Sequence, residues 1–190
     1  MITALIFDCD GTLTDSMPIH YLAWREVMLE VDVEFTEKRF YELAGVPGTK
    51  VMQHIAAHLA DDVQLQLLHQ REQKFMEKLA QVKPIQPVVD IARQHRDSTT
   101  MAVASGSVRE SVLRQLESIG VIDWFGAIVA AEDTERHKPE PDVFLEAANR
   151  LEVEPASCRV YEDSDLGIEA ARRAGMEVVD VRPLYAHQQA

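Results

Sequence analysis

Two carboxylates one residue apart, Asp8 and Asp10, stand where an apolar run ends, in Ala4-Leu5-Ile6-Phe7-Asp8-Cys9-Asp10-Gly11-Thr12. Carboxylates this close repel unless a cation or a shared proton relieves them, and at a buried strand end they are costly without a partner. A hard dication such as Mg²⁺ takes oxygen ligands and keeps waters and substrate phosphates in its shell. An Asp carboxylate can attack phosphorus and form an acyl phosphate. A second can protonate the leaving alkoxide, then deprotonate water. The pair points to metal, phosphate and carboxylate chemistry together. Cys9, between the acids, is a chemically competent nucleophile, but alternation along a strand turns it away from both. It is expected to pack.

Three further polar clusters follow apolar runs. Ser105 comes after Thr100–Ala104, Lys138 after Ala127–Ala130, and Glu162-Asp163 after Arg159–Tyr161. Mg²⁺ held by Asp8 and Asp163 would orient a phosphoryl group and offset its charge. Ser105 and the following amides of Gly106 and Ser107, near a helix N-terminus, suit a phosphoryl oxygen. Lys138 would neutralise phosphate and hold Asp8 ionised. Alone, each cluster has a plainer account: Ser105 as a helix cap, Lys138 as a solvated loop lysine, Glu162-Asp163-Ser164 as a capping turn. Selection of strand ends four times over favours a site.

The elements that must position these groups follow from periodicity. Ala4–Phe7 reads as a central parallel strand, apolar on both faces. In an open α/β sheet, ligands bind at the carboxyl ends of strands. Residues 16–83 are helical in pattern: Ile19, Leu22, Ala23, Val27 and Leu29 form one stripe with Trp24 beside it. Lys38–Ala44, Val51–Leu59 and Val63–Leu79 continue as further helices, an inserted bundle of about four with no strand. Strands then alternate with helices at Val108–Ser118 and Ala170–Ala174, and Glu177–Val181 closes the series. That alternation implies a doubly wound parallel sheet, α/β in class, built from residues 1–15 and 84–190. The tail Tyr185–Ala190 is expected to fray, with His187 idle in it.

Composition narrows the classes. The chain has 190 residues, 46% hydrophobic and 27% charged, with 32 acids against 19 Lys and Arg for a net charge of −13. This is an ordinary globular composition, and the acidity argues against nucleic-acid or anionic-membrane partners. No apolar run nears the roughly 20 residues a bilayer requires. The two cysteines, Cys9 and Cys158, suggest neither a disulfide framework nor a metal site, so the chain reads as cytoplasmic.

The clusters together resemble the motifs of the haloacid dehalogenase superfamily, across nearly the full length. Asp8-Cys9-Asp10-Gly11-Thr12-Leu13-Thr14-Asp15-Ser16 is similar to its first motif and Ser105-Gly106-Ser107 to its second. Lys138-Pro139-Glu140-Pro141-Asp142-Val143-Phe144 resembles the third, and Glu162-Asp163-Ser164-Asp165-Leu166-Gly167-Ile168-Glu169-Ala170-Ala171 the fourth. The resemblance implies a Rossmann-like core with a helical cap, in the subgroup that includes β-phosphoglucomutase. It implies Asp8 as nucleophile, Asp10 as general acid/base, Ser105 and Lys138 as catalytic partners, and Mg²⁺ on Asp8, the Asp10 carbonyl and Asp163, with Glu162.

The substrate implied is a small phosphorylated sugar. His20 and Trp24 resemble the cap-entry segment of that subgroup, although Trp24 also suits plain packing. In the mutase, the cap loop reads Lys-Gly-Val-Ser-Arg, and its arginine grips the distal phosphate of a bisphosphate intermediate. Here Ala44-Gly45-Val46-Pro47-Gly48-Thr49-Lys50 puts Gly48 in that place, and Lys50 offers a point charge, not a fork. The segment looks like that of bacterial fructose-1-phosphate phosphatases, so hydrolysis is expected, with the mutase as alternative. Pro84-Ile85-Gln86-Pro87 departs from the usual Pro-Gly. A receiver-type signalling domain shares some of these groups, but it is shorter, lacks the inserted lobe and carries its phosphorylated Asp mid-chain. A silent sugar-phosphate sensor would show loss of a catalytic acid; both are present.

Overall fold

The computed structural model describes residues 1–185. Its strands are β1 (Ala4–Phe7), β2 (Thr14–Asp15), β3 (Lys83–Pro84), β4 (Thr100–Ala104), β5 (Ala127–Val129), β6 (Cys158–Glu162) and β7 (Glu177–Asp180). Its helices are α1 (Met17–Leu29), α2 (Glu37–Glu42), α3 (Gly48–Ile55), α4 (Asp61–Glu77), α5 (Gln86–His95), α6 (Arg109–Ser118), α7 (Asp142–Arg150), α8 (Asp165–Arg173) and α9 (Arg182–Tyr185). Residues 1–15 with those from 83 onward form one compact unit, and Ser16–Val82 a second.

In the first unit, pleating along β1 sends Ala4 and Ile6 to one face and Leu5 and Phe7 to the other, all four buried. Ala4 and Ile6 pack against Val143, Phe144 and Ala147 of α7 and Ala170 and Ala171 of α8. Leu5 and Phe7 pack against Val88 and Val89 of α5 and Val112 and Leu116 of α6. Both faces are covered, which is why this strand reads as a continuous apolar run. Fully burying a side chain such as Ile6, Phe7 or Phe144 stabilises by about 1.5–3 kcal/mol each. The parallel sheet has the order β5-β4-β1-β6-β7. From β1 the chain winds outward through β4 and β5, then returns to β6 and β7 on the other flank. The strand order reverses between β1 and β6, and the crevice of such a sheet opens at the carboxyl ends there.

Two helices lie where the apolar patterning marks none. Helix α5 begins at Gln86-Pro87, two residues after Pro84, and Pro87 occupies the first helical turn, where its missing N–H costs nothing. Helix α7 follows Pro139-Glu140-Pro141 directly, with Pro141 as its N-cap, and Val143, Phe144, Ala147 and Ala148 form its buried stripe. Tyr185, expected to fray, is placed in a helix instead. Tyr185 ends α9, and its hydroxyl donates to the Gly11 carbonyl at 2.8 Å. Residues 186–190, His187 among them, lie outside the described residues.

The second unit carries α1 to α4 and, among its described residues, no strand. Trp24, Val27, Met28, Phe35, Phe40, Val51, Met52 and Leu67 form its core. On α1 the stripe continues through Met28, four residues after Trp24; Leu29, expected in it, is exposed. No helix among the described residues is long and apolar enough to cross a membrane.

Candidate active site

The carboxyl end of β1 delivers Asp8, whose N–H donates to the Tyr161 carbonyl of β6 at 3.0 Å. The loop before α7 brings Lys138 between two acids: its Nζ donates to Asp8 Oδ1 and to Glu162 Oε2, both at 2.7 Å. All three side chains are buried, Glu162 completely. Glu162 is held further by the Asp163 N–H, the Ser164 N–H and the Ser164 hydroxyl, which donate to Oε1 at 3.1, 2.9 and 2.8 Å. Ser164 also caps α8, accepting the Gly167 N–H at 3.0 Å. The capping reading of this turn and its place beside the acids are therefore both realised. Asp163 Oδ1 accepts the Thr12 hydroxyl at 2.9 Å.

Two glycines let these groups meet. Gly11 has φ +78°, and a Cβ there would come within 2.3 Å of Asp163 Oδ2. A Cβ on Gly167 would come within 2.1 Å of the Glu162 carboxyl. No other residue type fits either place.

Carboxylate oxygens of Asp8, Glu162 and Asp163 lie within 4.8 Å of one another. Burial, then the Glu162 charge, holds the Asp8 carboxyl well above the usual range, with Lys138 opposing. Burial and Glu162 push Asp163 up to about 7. For Lys138, burial favours loss of the proton, but Asp8 and Glu162 outweigh it and keep the ammonium charged. One ammonium thus faces Asp8, Glu162 and Asp163, with Asp10 close by in the chain. Buried oxygen donors with excess negative charge fit a hard dication. Glu162 Oε1 is already occupied by three donors, so the open oxygens of the cluster belong mainly to Asp8 and Asp163.

Asp10 is gripped separately. The Ser107 hydroxyl donates to its Oδ2 at 2.6 Å, and Gln115 Nε2 to its Oδ1 at 3.0 Å. Ser105, first residue past β4, accepts the Ser107 N–H on its hydroxyl at 3.1 Å and so shapes the turn. Gly106 faces open space. Cys9 is fully buried on the α5/α6 side of the sheet, where burial, then Asp10 and Asp8, raise its thiol well above the usual range. It packs; a protonated thiol is no nucleophile.

The sequence profile of the haloacid dehalogenase-like hydrolases matches residues 5–181. The chain belongs to that family. Among relatives, this haloacid dehalogenase-like hydrolase is 38% identical to the fructose-1-phosphate phosphatase YqaB of Escherichia coli, over 95% of this chain and 96% of the relative. It is 29% identical to the β-phosphoglucomutase of Bacillus subtilis, over 94% and 82% of the two chains. In fold it is similar to a β-phosphoglucomutase from Clostridium difficile, with a TM-score of 0.86 at 24% identity, covering 95% of this chain and 84% of that one.

The remaining expected residues of the hydrolase lie in its helical unit. His20 is buried in α1, stacked on Phe75 at 3.9 Å between ring centroids, with Nδ1 3.4 Å from Arg71 Nη1. Trp24 packs into the apolar core edge-on to Phe35, with the Arg71 guanidinium 5.4 Å from its ring. Lys50 is exposed on α3. Within the first unit, sequence reasoning passed over two polar residues. Tyr185 reaches Gly11 from the tail, and Gln115 reaches Asp10 from α6. Gln115 carried a signal: with Ser111, Val112 and Leu116 it lies at i, i+1, i+4, i+5 spacing on one buried helix face.

Proposed function

We propose that the chain is a Mg²⁺-dependent phosphatase of small sugar phosphates, fructose 1-phosphate among them, acting through an aspartyl-phosphate on Asp8. The observation that carries this is the burial of Asp8 against Lys138, beside Glu162 and Asp163, with Asp10 separately gripped two residues on. That arrangement separates a nucleophilic carboxylate from a proton-carrying one. The E. coli relative named for fructose-1-phosphate phosphatase activity, similar over nearly the whole of both chains, supports the substrate class.

Asp8, with Asp163, Glu162 and the Asp10 carbonyl, would hold the Mg²⁺. When bound, the ion supplies the positive charge that keeps these carboxylates ionised and offsets the repulsion between nucleophile and phosphate. Asp8 attacks phosphorus, forming the acyl phosphate as the bond to the sugar oxygen breaks. Asp10 gives that oxygen its proton. Asp10, now ionised, takes a proton from water, the water oxygen attacks phosphorus, and the bond to Asp8 breaks to release phosphate. Lys138 keeps Asp8 oriented and balances phosphoryl charge. Ser105, Gly106 and Ser107 form the turn that receives the phosphoryl oxygens.

Hydrolysis is favoured over mutase chemistry by Gly48. A Cβ there would stand 3.0 Å from Leu68 Cδ2 and 3.8 Å from Trp24 Cζ2, so an arginine at this place would begin only with Leu68 displaced, and Gly48 itself offers no charge for a distal phosphate. The test is a panel of phosphorylated sugars with Mg²⁺, scoring free phosphate and isomerised product together. Phosphate release that vanishes in Asp8→Ala and in excess chelator is expected. Rapid conversion of β-glucose 1-phosphate to glucose 6-phosphate without release would contradict the phosphatase reading.

A further inference from the structure

Asp10 is anchored on one side by a residue with no assigned part in the reaction. Gln115 is fully buried, and its two ends are engaged differently. Its Nε2 donates to Asp10 Oδ1 at 3.0 Å, while its Oε1 accepts the Thr14 hydroxyl at 2.7 Å. Thr14, in β2, is itself fully buried. With a hydroxyl donor on the carbonyl end, the amide turns its NH₂ to the carboxylate. Gln115 belongs to α6, which Val112 and Leu116 fasten to the sheet. The carboxylate of a loop residue is thereby referenced to a packed helix, the kind of support that holds a reacting group in one orientation.

We propose that Gln115 is the positioning residue of Asp10: it pins Oδ1 on the buried side and leaves Oδ2, shared with Ser107, to exchange the proton. The proposal rests on the reading of Asp10 as general acid/base. The proton leaves Oδ2 for the sugar oxygen as the phosphorus–oxygen bond breaks, and Oδ2 takes one from water in the second step. Oδ1 stays an acceptor throughout. Without Gln115 the carboxyl would be free to rotate about its last bond, and misplacement of a reacting group by even a small distance slows the step it serves.

The test uses the full chain with Mg²⁺ and enzyme in excess over substrate, following first-turnover release of the leaving group. Fructose 1-phosphate and p-nitrophenyl phosphate are run side by side, because nitrophenolate departs without a proton. Gln115→Met keeps the unbranched shape and removes the donor, and the single Thr14 hydroxyl proton can turn to the Cys9 carbonyl at 3.0 Å. Fructose release at saturating enzyme is expected to slow about tenfold with the half-saturating enzyme concentration unchanged, and nitrophenolate release by less than about twofold, since general-acid assistance is lost only where it is needed. Gln115→Glu, which keeps the acceptor for Thr14 and sets a carboxylate against Asp10, should show the same selectivity and carries the test if the methionine variant does not fold. Equal slowing on both substrates, or none on either, overturns the proposal while leaving the phosphatase reading intact. A wild-type chain that releases neither leaving group, or an Asp8→Ala variant that releases both, overturns the two together.

Discussion

Lys138 is one ammonium buried among several carboxylates, and its charge decides how they behave. Two of its three donors are spent on Asp8 and Glu162 at 2.7 Å. Replacing it in Lys138→Met leaves both acids buried without their counter-charge. Removing one partner of a buried pair typically costs about 3–5 kcal/mol, and a loss of that size is expected in the unfolding free energy measured by urea denaturation. Phosphate release should fall about a hundredfold or more, as when a preorganised group facing developing charge is deleted. The acids and Lys138 were legible in the sequence because polar residues closing apolar runs break a strong pattern. Gln115 was fainter: its spacing with Val112 and Leu116 marks the face it shares, but a glutamine within a polar helix stands out only once that face is known to be buried. Glu162 was legible as an acid at a strand end, but not as the hub that accepts from Lys138, Ser164 and the Asp163 amide at once.

At the scale of elements, the candidate site depends on α9 as well as on strand ends. The Tyr185 hydroxyl fastens the end of α9 to the Gly11 carbonyl, in the loop whose Thr12 touches Asp163. Tyr185→Phe removes one partly buried hydrogen bond and should lower stability by about 1 kcal/mol, measurable by chemical denaturation. The Mg²⁺ concentration for half-maximal activity should rise with it, since the Gly11 turn then loses an anchor. The strands of the sheet were readable because burial on both faces makes them continuous apolar runs. The α5 and α7 helices were not, because prolines that open a helix look the same in sequence as prolines that close a turn. Tyr185 was hidden for a related reason: a short polar tail carries no periodicity from which docking can be inferred.

For the whole molecule, the two units differ in how they are closed. Asp15 of β2 pairs with Lys83 of β3 in antiparallel register, so the chain leaves and re-enters the first unit at adjacent positions. Joining Asp15 to Lys83 by Asn-Gly makes a two-residue hairpin of a favoured type, and the product should fold with a single cooperative melting transition. Burial and charge crowding set a second property of the intact protein. Burial, then the Glu162 charge, pushes the Asp163 carboxyl up to about 7 in the folded chain, against 3.8 as its ordinary value. Between those values the folded state holds a proton that the unfolded state has released, so this group's contribution makes stability fall as pH rises through that window. Mg²⁺ competes with that proton, and its addition should raise Tm more at pH 8 than at pH 5. The central claim is that Asp8 accepts the phosphoryl group. Its most direct test is to quench the enzyme during turnover of fructose 1-phosphate, reduce with borohydride and sequence the peptide by mass spectrometry. The account predicts homoserine at position 8, formed by reduction of the acyl phosphate, and none without substrate. An unmodified Asp8 together with undiminished turnover in Asp8→Ala would contradict it.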